Sequence, residues 1–79
     1  MMTFNEFKDS WEKEILPEKS TQMREGQALI NYLAKIWFNE YKRLVNNYYK
    51  EDDINCFYQD TLINNTLDHL EKVWSKYPN

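Results

Sequence analysis

From Leu62 to Tyr77, the residues Leu62, Ile63, Thr66, Leu67, Leu70, Val73, Trp74 and Tyr77 recur at helical spacing. At about 100° per residue they fall within roughly 140° of one face. Asn64, Asn65, Asp68, Glu71, Lys72, Ser75 and Lys76 fill the other side. This pattern predicts a helix with one face to bury. Asp60, or Asn64 for a later start, is its expected N-cap. Lys72 and Lys76 lie near its end, where a helix dipole favours cations. Pro78 and Asn79 read as a frayed end.

The first helix is predicted to start after Thr3, which with Glu6 has the capping-box spacing. Met1, Phe4, Phe7, Trp11 and Ile15 form its narrow apolar stripe. Pro17 is expected to end it, because the residue before a proline avoids helical dihedrals. After a loop over Leu16 to Thr21, capped by Ser20 or Thr21, a second helical region starts near Gln22. Leu29, Leu33, Ile36 and Trp37 face inward there, flanked by Ile30 and Tyr32. Gly26 falls inside this helix at a cost of about 1 kcal/mol relative to alanine. Close approach of another backbone, with the first helix as the candidate, would explain it.

One long helix through Tyr48 would place Glu40 and Asn47 among apolar residues, and Asn39 is a good N-cap. Two readings stand. The helix kinks or breaks near Phe38–Asn39 and restarts with Tyr41, Leu44, Val45 and Tyr48, or it runs on with a half-buried second half. Tyr49 to Asp60 is a connection in which Glu51, Asp52 and Asp53 are solvated and Phe57 and Tyr58 plug onto the core. The fold is therefore expected to be all-α: one domain over 1–79 with three principal helices, the middle one kinked or broken near Asn39. Its expected core is Phe4, Phe7, Trp11, Leu29, Leu33, Ile36, Trp37, Leu44, Leu67, Leu70, Val73 and Trp74.

Composition narrows the function classes. Seventy-nine residues make one small domain, which buries only about 60% of the surface its unfolded chain exposes. Three Trp, four Phe and six Tyr are too many rings for a disordered chain. The net charge of −3, with both signs interspersed, argues against a sequence-independent DNA binder and an anionic-membrane peptide. The uncharged runs fall short of the length of a spanning helix, about 20 residues. The charged N-terminus lacks the pattern of a secretory signal. The one cysteine, Cys56, cannot form an intramolecular disulfide. The expected location is the cytoplasm.

Candidate chemistry is sparse. Cys56 and His69 would need contact and an orienting third group to act as a nucleophilic pair, and their spacing matches no such signature. The acidic run Glu51, Asp52, Asp53 and Asp60 lacks the glycine and the twelfth-position glutamate of a calcium loop. Glu12, Glu14, Glu18, Glu40 and Glu71 offer no singled-out carboxylate pair. No catalytic residue, cofactor or metal site is predicted, and the reading is non-enzymatic. The rings exceed what so small a core absorbs, and aromatic residues are enriched at interface cores. Phe38, Tyr41, Tyr48, Tyr49 and Tyr58 are the predicted partner-binding residues. Phe38, off the main stripe, is the first expected in water. The expected partner is another protein or a second copy. The alternative is a nucleic-acid or small-ligand binder using the Tyr41–Tyr49 stretch with Lys42 and Arg43, opposed by the acidic run that follows.

Gly26-Gln27-Ala28-Leu29-Ile30-Asn31-Tyr32-Leu33, then Cys56-Phe57-Tyr58-Gln59-Asp60, then a helix ending in Val73-Trp74, resembles a group of small bacterial and phage-type helical proteins. Those run Gly-Gln-x-Leu-x-Asn-x-Leu, an Asp-Pro-Phe-Tyr-like turn and a short helix ending in Trp. The likeness covers residues 23–74. The chain departs from it with Cys56 in place of proline and with an added N-terminal helix. The resemblance implies a small prokaryotic or mobile-element protein, and by analogy an inhibitor or regulator of a host factor. It brings no catalytic residues. Gly26, Gln27, Asn31, Phe57 and Tyr58 read equally as a packing point, polar anchors and a loop plug.

Overall fold

A computed structural model describes residues 2–76. The expectations for Met1, Tyr77, Pro78 and Asn79 lie outside the described residues. Within them the chain is helical, and no strand is present. Helix α1 (Phe4–Ser10) starts at the expected capping box. Thr3 N–H donates to Glu6 Oε1 at 2.8 Å and Glu6 N–H to Thr3 Oγ1 at 3.1 Å.

Pro17 does not end the element. The rod continues through a π-helical turn, Trp11–Ile15, into α2 (Leu16–Glu18), and Leu16 keeps helical dihedrals. An α-turn would press the proline ring against the carbonyl four residues back and waste a hydrogen bond. In the wider π-turn the Leu16 N–H reaches Trp11 O instead, which relieves that crowding.

Helix α3 (Glu25–Ile36) starts later than Gln22, and neither Ser20 nor Thr21 caps it. Its cap comes from 34 residues downstream: Gly26 N–H donates to Asp60 Oδ1 at 2.9 Å. Asp60 is thus not the cap of the last helix. Gly26 sits in the first turn of α3, and the backbone pressed on it belongs to the connection, not to the first helix. A Cβ at this position would overlap the Cys56 carbonyl oxygen. Around it, Cys56 Sγ donates to Gly26 O at 3.5 Å and Arg24 Nη2 to Phe57 O at 3.3 Å.

The middle element is broken, one residue earlier than expected. Trp37 leaves the helical region (φ −145°, ψ 76°), and α4 runs Phe38–Val45 with Asn39 inside it rather than capping it. The break lets the Trp37 ring stay buried. Helix α4 ends in a Schellman stop: Tyr48 N–H bonds Arg43 O at 2.9 Å and Asn47 N–H bonds Leu44 O at 3.3 Å. Asn47 takes the left-handed position (φ 57°). Tyr48 therefore lies beyond the helix. The connection carries two short 3-10 turns, Asp52–Ile54 and Asp60–Leu62. Then α5 (Ile63–Trp74) closes the fold, with no side-chain cap at its start. Buried Thr66 holds the connection to α5, donating from Oγ1 to Ile54 O at 2.8 Å and Leu62 O at 3.1 Å.

Nine of the twelve expected core residues are buried, and Phe4, Ile36 and Trp74 pack at the edge. Ile30, expected on a flank, is fully buried, and Ile54 and Cys56 join from the connection. Rings dominate one end. Phe7 stacks on Tyr32 at 5.1 Å and meets Trp74 at 4.9 Å, and Trp74 meets Trp37 edge-on at 5.1 Å. The Trp74 indole also donates to Met2 O at 2.9 Å, which ties the N-terminus to α5.

Gly26→Ala is expected to destabilise the fold by about 1–3 kcal/mol, the usual range for overpacking, read as a lower urea midpoint. Asn47→Gly, which suits the left-handed stop, is expected to leave that midpoint unchanged or raise it.

Candidate functional site

Three of the five predicted contact residues reach water as expected, or more so. Phe38 is 56% exposed, Tyr48 61% and Tyr58 77%. Tyr58 is therefore not a plug; its neighbour Phe57 is, half-buried against the core. Tyr41 is half-buried. Phe38, Tyr41 and Val45 share one face of α4 at spacings of three and four residues. Phe38 stacks on Tyr41 at 5.7 Å, with Lys42 Nζ 5.2 Å from the Phe38 ring centre. Tyr41 and Val45 share a depression with Asn55, Phe57 and Tyr58, and Phe57 meets Tyr58 edge-on at 4.8 Å. The result is one continuous aromatic face from α4 to the connection.

Tyr48 does not belong to that face. Beyond the Schellman stop it lines a separate depression of about 420 Å³ with Asn39, Lys42, Arg43 and Asn46. The Tyr41–Tyr49 stretch is therefore two surfaces. Tyr49 faces inward, contrary to the expectation of a partner-binding ring. Its hydroxyl donates to Glu40 Oε1 at 2.7 Å, and its ring meets His69 edge-on at 4.4 Å.

The reason is Glu40, which is fully buried. The helix break does not turn it out to solvent; it finds partners instead. Arg43 Nε donates to Oε1 at 2.8 Å, and the Arg43 guanidinium lies over Trp37 at 5.5 Å. His69 Nε2 is 2.9 Å from Oε2. An ionised carboxylate only accepts, so the ring presents Nε2–H to it. Burial pushes the Glu40 pKa up. The hydrogen bonds from His69, Tyr49 and Arg43 and the Arg43 charge outweigh that, and the carboxyl sits below its ordinary value. Burial and the nearby carboxylate push the Tyr49 phenol up. Sequence spacing exposed Glu40 as a misfit in an apolar stripe, which was the available signal for this cluster. Its three partners lie three, nine and 29 residues away, and no local pattern joins them.

Cys56 and His69 are engaged separately. Cys56 is buried against Gly26 O, and burial pushes its thiol up, which disfavours the reactive thiolate. Glu51, Asp52 and Asp53 are exposed. Among the described residues, no three His, Cys, Asp or Glu side chains are placed to hold a metal ion. No described helix is long and apolar enough to cross a membrane.

Sequence reasoning missed a groove of about 500 Å³ between the π-turn and α3. Ile15, Met23, Ala28 and Tyr32 line it together with two acids, Glu14 and Glu18, and two bases, Lys19 and Lys35. The missing signal was the π-turn, which no residue pattern announces. No family model matches the chain, and no curated protein or solved structure matches it either.

A carboxyl whose folded pKa is depressed contributes stability that is full above its ordinary value of 4.5 and is lost as pH falls through the folded value. Glu40→Gln is expected to cost about 3–5 kcal/mol at pH 7, as breaking a buried pair does. Its urea midpoint should also change less than the wild type's between neutral and acid pH. In the wild type, an NMR titration of the Glu40 carboxyl should give a midpoint below 4.5.

Proposed function

We propose that this chain is a non-enzymatic protein-binding module and that the aromatic face of α4 with residues 55–58 is its contact surface. One observation carries the reading: Phe38, Tyr41, Val45, Phe57 and Tyr58 form a continuous face with Phe38 and Tyr58 in water. Aromatic rings are favoured at interface cores because they bring large area at low entropic cost. Two bases flank the face, Lys42 at Phe38 and Arg24 at Phe57 O. The scaffold beneath suits such a role. We read it as a bundle of three principal helices, the rod 4–18, the broken pair α3–α4, and α5. The resemblance to mobile-element proteins extends the reading to a cytoplasmic inhibitor or regulator of a host protein.

A second reading rests on the depression beside Tyr48. An exposed ring, a lysine and two amides, Asn39 and Asn46, are groups that can stack a base and hold a phosphate. It predicts salt-dependent binding of a single-stranded oligonucleotide that is lost with Tyr48→Ala or Lys42→Ala.

For the leading reading, a protein captured by the wild type should also be captured by Glu71→Ser, a solvent-face control, and lost with Phe38→Ser/Tyr58→Ser. Circular dichroism should show all three chains equally helical. Capture that survives the double substitution would overturn the assignment of the face.

A further inference from the structure

The fully buried Glu40 carboxylate takes Nε2–H of His69 at 2.9 Å. That bond fixes the tautomer of the neutral ring. With the proton on Nε2, Nδ1 carries a bare lone pair and only accepts. The ring is held in place, because Tyr49 meets it edge-on at 4.4 Å and its side chain is only 10% exposed. Nδ1 has no hydrogen-bond partner among the described residues, and it is not one of the polar atoms sealed from solvent. Its opening is the depression that the ring lines, about 270 Å³ between the 3-10 turn Asp52–Ile54 and α5.

The rest of that depression accepts too. Glu51, Asp53 and Asp68 line it against one base, Lys72. All four are exposed, and none of them takes part in an ion pair among the described residues. Buried Ile54 lines it as well and offers an apolar surface for methylene groups. Among the described residues, no three of these side chains are placed to hold a metal ion. Acceptors spread in this way match a cation whose donors are spread as well. A guanidinium presents five N–H donors in a planar fork, whereas an ammonium is a compact point charge. One edge of the fork can take a carboxylate and leave another N–H for Nδ1.

We propose that this depression receives an arginine side chain of a partner polypeptide, with the carboxylates of Asp53 and Asp68 holding the guanidinium and His69 Nδ1 accepting one of its N–H groups. Glu40 is then a positioning residue, since it holds the accepting tautomer towards the depression without touching the guest. The site shares no residue with the aromatic face and does not depend on it. Its acids are exposed, so each contact is weak and screened by salt.

The test is an NMR titration that follows the ring nitrogens of His69 at low salt and about pH 8, chosen to keep imidazole neutral. The probe is N-acetylarginine amide. Before addition, Nδ1 should be the nitrogen without a proton. The probe should shift the Nδ1 resonance and saturate with a Kd on the order of 1–10 mM, as a few exposed contacts allow. N-acetyllysine amide should bind at least about threefold more weakly, and the neutral N-acetylcitrulline amide should not bind. Asp53→Asn/Asp68→Asn should abolish binding with unchanged circular dichroism. His69→Gln keeps an N–H for Glu40 and removes the acceptor. Followed through the amides of α5, it should weaken binding by about threefold to tenfold. Phe38→Ser/Tyr58→Ser should bind as the wild type does, which separates this site from the aromatic face. A proton found on Nδ1, equal binding of the lysine probe, or binding that survives Asp53→Asn/Asp68→Asn would each overturn the proposal. Binding lost with Phe38→Ser/Tyr58→Ser would move the arginine to the aromatic face and overturn it as well.

Discussion

A carboxylate cut off from water must find its hydrogen bonds inside the protein or lose its charge. Glu40 keeps its charge by gathering Arg43 from its own helix, Tyr49 from beyond the Schellman stop and His69 from α5. Each partner fixes a separate part of the chain. Arg43 holds the guanidinium over Trp37 at the helix break. Tyr49 needs the chain to reverse at once after α4, which the left-handed Asn47 permits. His69 sets the rotation of α5 against α4. The outer face of α4, with Phe38 and Tyr41, is presented to solvent because its inner face is held in this way. Replacing such a cluster with apolar side chains can be neutral or stabilising, so its contribution here is to orientation as much as to stability.

A second constraint acts at Gly26, where the connection packs backbone on backbone against α3. Only a residue without a Cβ admits the Cys56 carbonyl there. The contact serves both partners. Helix α3 receives its missing cap from Asp60, and the connection, with few regular hydrogen bonds of its own, is fixed by Gly26, Arg24 and Thr66. This is how residues 55–58 come to stand beside α4 and complete the aromatic face. The Cys56 thiol is part of the same packing.

Local periodicity was enough to read the helical class, the α5 stripe and most of the core, because burial of one helix face repeats at a spacing visible in the chain. The Thr3–Glu6 capping box was legible for the same reason, since its two partners are three residues apart. Three of the failures share a cause. Asp60 caps a helix 34 residues upstream, Tyr49 turns inward to a buried acid, and Cys56 fills the space over Gly26. In each, a long-range partner overrides local preference. Phe38 was legible as an exposed ring because it lay off the apolar stripe. Tyr58 was read both as a plug and as a contact ring, because nothing local separates it from Phe57, one position away.

The π-turn at Trp11–Ile15 holds one residue more than an α-turn would need. It can be viewed as a single-residue insertion absorbed without leaving the helix. Everything past it is rotated by about 100° relative to an uninterrupted α-helix. That rotation places Glu14, Ile15 and Glu18 along the groove. Excising one residue from this turn would return the rod to α-helical register, drive the Pro17 ring against the preceding turn and swing the acid pair away from α3. The side of the groove opposite α3 depends on a phase offset between two stretches of one rod, and a length change of one residue there would do what no single substitution could.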